Sequence, residues 1–220
     1  MLIATAIGGP LLIVLYANLV FIIGCKRRFM GRKQMHELRA SLCALFVSVG
    51  LSETVTCTLK LYVSRHRPNF YALCGFDPAQ LKCMAPSLSR VHEATLSFPS
   101  GHSSLSFCGM SFLMYFFLGR VSRITPSTTA VSLPSGRTIS LRSYKSFLMF
   151  LSCIVPWSYA TFVATSRIVD KWHHPSDVIA GSLLGIACAT IGYHSFFAPT
   201  GGVPLSLQTM NPGNEENNYY

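Results

Sequence analysis

The chain has 220 residues, of which 50% are hydrophobic and 12% charged, and it carries a formal net charge of +10. Soluble domains average about 25% charged residues. So little polar sequence cannot coat a helical bundle in water, which excludes an ordinary soluble domain and points to a chain built into a bilayer.

Five apolar runs follow one another, at 2–24, 40–59, 103–119, 147–165 and 178–197. Each comes close to the roughly 20 residues that a spanning helix needs. The predicted fold is therefore all-α: an integral, multi-pass membrane helical bundle with about five transmembrane helices, occupying residues 1–197. No basic residue precedes the first run, and it exceeds the roughly 7–15-residue apolar core of a secretory signal. It is read as a span.

The segment after the first run holds Lys26, Arg27, Arg28, Arg32, Lys33 and Arg39 against Glu37. The segment after the third run holds Arg120, Arg123, Arg137, Arg142 and Lys145 with no acid. Each sums to +5, and together they equal the +10 of the whole chain. Basic loops stay cytoplasmic, and five alternating spans allow both to do so. This placement accounts for the positive balance, with some attraction to anionic lipid headgroups, so no nucleic-acid partner is expected.

The second run ends in Lys60-Leu-Tyr-Val-Ser-Arg-His-Arg67-Pro68. Lys60 and Arg67 bring cationic donors to the membrane edge, and Pro68 stops the helix. Taken alone, the segment equally fits snorkelling residues, and Arg65 and His66 are read as facing water or lipid heads. The connection from 60 to 102 contains Pro68, Pro78, Pro86 and Pro99 and is expected to be mostly irregular. Cys74 and Cys83 share it, and a disulfide between them stands beside the alternative of two free thiols. Cys43, Cys57, Cys108, Cys153 and Cys188 lie in apolar runs and read as small packing residues.

Pro99-Ser100-Gly101-His102 opens the third run. Ser100 is a plausible helix N-cap, Gly101 permits close backbone approach, and the free first-turn N–H groups would face an anion. His102 sits where it could donate a proton. The Ser/Thr/Pro-rich connection 120–146 is read as flexible.

Ser166 and Arg167 close the fourth run, and His173 and Asp177 flank Pro175 at the start of the fifth. Arg167 can clamp phosphate oxygens in bidentate fashion. Asp177, near a helix N-terminus, is expected to accept a hydrogen bond from one ring nitrogen of His173 and leave the other as a nucleophile. His174 competes for that role, and spacing does not separate the two. In the last run Gly181 and Gly185 form a small-xxx-small pattern suited to close helix packing, with a dimer face as the alternative. The tail 198–220 is polar and expected to be disordered and cytoplasmic.

Taken together, the three clusters resemble the signature of the type-2 phosphatidic acid phosphatase superfamily: K-x6-R-P, then P-S-G-H, then S-R-x5-H-x3-D. Every fixed position is matched in order, by Lys60, Arg67 and Pro68; Pro99, Ser100, Gly101 and His102; and Ser166, Arg167, His173 and Asp177. The layout around them is similar to the lipid phosphate phosphatase branch. The resemblance implies a phosphatidate phosphatase acting on phosphatidate and related lipid phosphates without Mg²⁺ or any other cofactor. It implies His173 as the nucleophile that becomes phosphohistidine, oriented by Asp177, and His102 as the acid for the leaving group. Lys60, Arg67, Ser100, Gly101 and Arg167 would hold phosphate. The site would lie on the non-cytosolic side of the endoplasmic reticulum or plasma membrane. Relatives of this branch resemble six-span proteins, so this chain reads as one span short at its start, as in a shortened form. Lipid diphosphates or other phosphorylated amphiphiles are the alternative substrates, a non-catalytic phospholipid-binding protein is the alternative class, and self-association is left open.

Overall fold

A computed structural model describes residues 32–84, 87–124, 130–132, 138–198 and 203–208. The run at 2–24 lies outside them, as does most of the tail. Four long helices fall on the other four apolar runs: α1 (Arg32–Val63), α4 (Gly101–Ile124), α5 (Leu141–Val169) and α6 (Pro175–His194). All four are long and apolar enough to cross a membrane. Their ends extend beyond the runs because Lys60, His102 and Arg167 continue the helices as polar caps to the apolar stretches.

The helices alternate in direction, and α4 is the central one. Its apolar length is mostly enclosed, whereas α1 and α5 turn most of theirs outward. Phe46, Leu61, Phe147, Phe150, Phe162, Ile179 and Leu183 are large, apolar and exposed, as expected where lipid is the solvent. The core forms around α4 from Phe107, Met110, Phe112, Leu113 and Phe116, with Ala44 and Leu45 of α1, Ala160 and Ala164 of α5, and Cys188 and Ala189 of α6. Interhelical hydrogen bonds cross this core: Thr56 Oγ1 donates to Ser104 Oγ at 2.9 Å, and Tyr115 and Thr190 pair at 2.9 Å. Such bonds keep polar groups paired away from water.

The glycines of α6 serve packing within the chain. A methyl group at Gly181 would stand 2.5 Å from the Ser100 carbonyl oxygen. One at Gly185 would strike the Ser104 carbonyl and lie 2.8 Å from the Cys108 nitrogen. This contact lets the backbones of α4 and α6 touch. Gly185→Ala is expected to destabilise the bundle by about 1–3 kcal/mol, the usual cost of overpacking a rigid contact. Gly50→Ala, where nothing lies within 4 Å of the added carbon, is expected to be neutral or slightly stabilising. Thermal unfolding of both variants in one detergent checks the difference.

The connections are less irregular than their composition implied. Between α1 and α4 lie two short helices, α2 (Phe70–Cys74) and α3 (Leu88–Ala94), and a minimal antiparallel pair, β1 (Phe76–Asp77) with β2 (Lys82–Cys83). Cys74 and Cys83 are joined in a disulfide that closes this hairpin. Between α4 and α5, β3 (Ala130–Ser132) pairs with β4 (Thr138–Ser140). At the start of the tail, Pro204 bridges back to Phe197 ahead of the short helix α7 (Leu205–Gln208).

The two ends of the bundle differ in character. At one, Glu37 of α1 meets Arg123 at 2.7 Å and Arg120 at 3.6 Å, so the two basic segments converge there. At the other, the C-termini of α1 and α5 meet the N-termini of α4 and α6. All three motif clusters lie at this second end.

Candidate active site

Lys60, Arg67, Gly101, His102, Arg167 and His173 line one cavity of about 490 Å³. These six come from the three motif clusters, whose first and last members lie more than a hundred residues apart. Ser100 and Asp177 are fully buried just behind the wall.

Arg67 follows the end of α1 on the connecting segment, and its N–H donates to the Ala94 carbonyl at 2.9 Å. Its guanidinium lies 4.7 Å from the centre of the Trp172 ring and 3.5 Å from Glu93. It is buried, and its Nε has no hydrogen-bond partner among the described residues. Burial lowers the pKa of this guanidinium and Glu93 opposes the shift, but arginine stays charged in any case. A buried cation with a spare donor favours an anion. Lys60 Nζ approaches the Leu96 carbonyl at 3.5 Å and lies beside Gly101. Arg167 is oriented by Asp170, to which it donates at 2.8 Å, and by Ser166 Oγ at 3.1 Å.

The start of α4 is built as the sequence indicated. Ser100 Oγ caps it, accepting from the Ser103 N–H at 3.4 Å and the Ser103 hydroxyl at 3.0 Å. The N–H of Ser100 itself donates to the Asp177 carbonyl at 2.9 Å, which docks the turn onto α6. The N–H groups of Gly101 and His102 take no acceptor among the described residues, so two donors and a helix dipole open toward the cavity. The His102 ring lines the same space.

The expected bond between Asp177 and His173 is not made. His173 Nδ1 pairs instead with the Ser97 carbonyl at 2.8 Å. A carbonyl only accepts, so Nδ1 carries the hydrogen and Nε2 keeps a free lone pair. The tautomer is the one a nucleophile needs, but a different group fixes it. Asp177 is the third residue of α6, where its Oδ2 accepts the N-cap N–H of His174 at 3.0 Å. That oxygen also takes the Ser97 hydroxyl at 2.5 Å, while Oδ1 takes Arg65 at 2.7 Å. Three donors hold the carboxylate, and the imidazole is not among them. His174, the competing histidine, directs Nε2 to the His66 carbonyl at 3.2 Å, away from the cavity.

Burial is the largest influence on His173, followed by the charges of Lys60 and Arg67; together they push its pKa down from 6.5 to about 4, against the Ser97 hydrogen bond and Asp177. The imidazole is thus neutral across the physiological range. With cations around the cavity and a neutral Nε2 at its wall, the arrangement can hold a tetrahedral anion and attack it.

Several contributors carried no signal in the sequence. Ser97 acts through its backbone carbonyl, which any residue would offer. Trp172 and Glu93 reach Arg67 only through the fold, whereas Asp170 meets Arg167 three residues along the chain. Arg65, read as facing water or lipid, is tied to Asp177.

A helical membrane bundle whose one end closes on a cationic, histidine-bearing cavity defines the general class. Residues 41–200 match the PAP2 superfamily, and the chain belongs to it. It is 31% identical over 210 residues to a PA-phosphatase related-family protein of Dictyostelium discoideum, covering 96% of this chain and 66% of the relative. It is 30% identical over 191 residues to lipid phosphate phosphatase 1 of Arabidopsis thaliana, covering 83% and 52%. It is 32% identical over 168 residues to a probable diacylglycerol pyrophosphate phosphatase 1 of Schizosaccharomyces pombe, covering 72% and 54%. The chain thus spans between about half and two thirds of the length of these curated relatives. No solved structure matches it.

Proposed function

We propose that this chain forms the catalytic bundle of a membrane phosphatase that removes phosphate from lipid monoesters such as phosphatidate, lysophosphatidate and sphingoid phosphates. One observation carries the reading: six motif residues, distant in sequence, line a single cavity at one end of an apolar bundle. The names of the Dictyostelium and Arabidopsis relatives agree with it.

In the proposed reaction, Lys60, Arg67, Arg167 and the N–H groups of Gly101 and His102 hold the phosphate oxygens, with Ser100 fixing the turn. His173 Nε2 attacks phosphorus as the P–O bond to the lipid breaks, and His102 gives its proton to the leaving oxygen. His102 then takes a proton from water, which attacks the phosphohistidine and frees inorganic phosphate and His173. The transition-state charge falls on fixed cations and N–H groups, the usual source of electrostatic catalysis. Those cations fill the role Mg²⁺ has in other phosphoryl transfers, so the proposed reaction needs no metal.

The site is proposed to open at the non-cytosolic face of the endoplasmic reticulum or plasma membrane. The convergence of the basic segments at the opposite end of the bundle supports this. An amphiphile could then keep its chains in the bilayer while its headgroup reacts. The name of the Schizosaccharomyces relative favours a second reading, a lipid diphosphate as substrate.

The test is phosphate release from a panel of lipid phosphates and diphosphates in detergent micelles, with and without EDTA. Turnover of monoesters at equal rates in both arms is expected. Binding of phosphatidate without any turnover would instead mark a phospholipid-binding protein. The neutral imidazole gives a separate expectation. In ¹⁵N-histidine spectra, the signal missing from His173→Asn should remain the neutral Nδ1–H form from pH 8 down to about 5 and titrate near 4. Titration near 6.5 would contradict it.

A further inference from the structure

Arg65 lies two residues before the motif arginine and outside the cavity wall, yet it grips the nucleophile's support at two points. Its backbone carbonyl accepts the Ser97 N–H at 2.9 Å. Its guanidinium donates to Asp177 Oδ1 at 2.7 Å and to Ser176 Oγ at 2.7 Å. Asp177 in turn accepts the Ser97 hydroxyl at 2.5 Å through its other oxygen. Ser97 is therefore held by its N–H, its hydroxyl and, through the carbonyl, the Nδ1–H of His173. Ser97 and Asp177 have no exposed surface, and His173 has 4%. Arg65 is the one cation within ion-pair distance of Asp177 among the described residues.

We propose that Arg65 is a positioning residue of this site, clamping Asp177 and Ser97 so that the Ser97 carbonyl presents the Nε2 of His173 to the phosphate. The chain of contacts has a physical logic. Removing the cation from a buried ion pair is strongly destabilising for the carboxylate left behind. Without the Arg65 side chain, Asp177 loses its charge partner and holds the Ser97 hydroxyl less firmly, while the Ser97 N–H keeps the backbone carbonyl of residue 65. The acceptor that fixes the tautomer and direction of the imidazole is then less firmly placed. Arg65 touches no cavity surface, so anion binding by Lys60, Arg67 and Arg167 is independent of it. The kinetic consequences below rest on the proposed phosphatase reading.

The test uses Arg65→Met, Arg65→Lys and Ser97→Ala in the full chain. For Arg65→Met, kcat on phosphatidate is expected to fall about 100-fold, the usual scale for a misplaced reacting group. KM and inhibition by inorganic phosphate should stay within about 2-fold, because ground-state anion binding is untouched. Inhibition by orthovanadate, which bonds to the nucleophilic nitrogen, should weaken about 10-fold or more. Arg65→Lys keeps a cation beside Asp177 and should recover most of the rate, and Ser97→Ala should resemble a milder Arg65→Met. Unchanged kcat in Arg65→Met, or equal loss of phosphate and vanadate inhibition, would overturn the inference.

The positioning is also read without turnover. The Nδ1–H proton of His173 should be protected from solvent exchange in the parent and in Arg65→Lys, and should exchange freely in Arg65→Met. Protection unchanged in Arg65→Met overturns the clamp whatever the lipid assays give. An inactive parent with the protection lost in Arg65→Met contradicts the phosphatase reading alone.

Discussion

His173→Ala is expected to reduce phosphate release by about 10⁴-fold or more, to the background of the assay, while the protein still enters the membrane. Removing a covalent nucleophile takes away the whole double-displacement route, and losses of this order follow when such a residue is deleted from a catalytic unit. Inorganic phosphate should still bind, because the cations and the first turn of α4 remain. The variant should also be folded: the lost imidazole makes one hydrogen bond, to the Ser97 carbonyl, and leaves space in the cavity. Full activity in His173→Ala would end the proposed mechanism. His174→Ala is the matched control, since that ring points to the His66 carbonyl and its loss should cost little in kcat.

His102→Asn should lower kcat for phosphatidate by about 10²–10⁴-fold, the range that general acid–base groups supply. The size of the effect should depend on the leaving group. A lipid alkoxide needs a proton as it departs. A nitrophenolate does not, so p-nitrophenyl phosphate should lose far less in its first step. With that substrate, breakdown of the phosphohistidine becomes limiting in His102→Asn, and a burst of nitrophenol should precede a slow steady rate. Equal losses for both substrates, with no burst, would argue that His102 only binds phosphate.

The fold was legible where composition alone decides it. The four described spans lie on apolar runs because hydrocarbon admits little else at that length. The start of α4 was legible because Ser100 and Gly101 act locally, within one turn. Pro175 and Asp177 announced α6 for the same reason. The loops were less legible. Composition rich in proline pointed to irregular chain, yet 76–77 and 82–83 pair beside a disulfide, and 130–132 pairs with 138–140.

Within the site, residue types revealed which groups gather but not how they bond. Asp177 was expected to orient His173 because carboxylate and imidazole are natural partners four residues apart. Arg65 and Ser97, 112 and 80 positions away along the chain, claim the carboxylate first. The imidazole turns to a backbone carbonyl, which leaves no trace in a sequence. Arg65 carries no signal in the sequence, because a basic residue at a membrane edge usually meets water or lipid heads. Only the fold brings it against a buried acid.

The most direct measurement is to quench the enzyme during turnover of ³²P-labelled phosphatidate and locate the label by peptide mass spectrometry. An acid-labile, alkali-stable phosphate on His173, absent from His173→Ala and accumulating in His102→Asn when ³²P-labelled p-nitrophenyl phosphate replaces the lipid, is the predicted result. Label on another residue, or steady turnover with no phosphoenzyme at any quench time, would contradict attack by His173 from a site assembled by the three motifs.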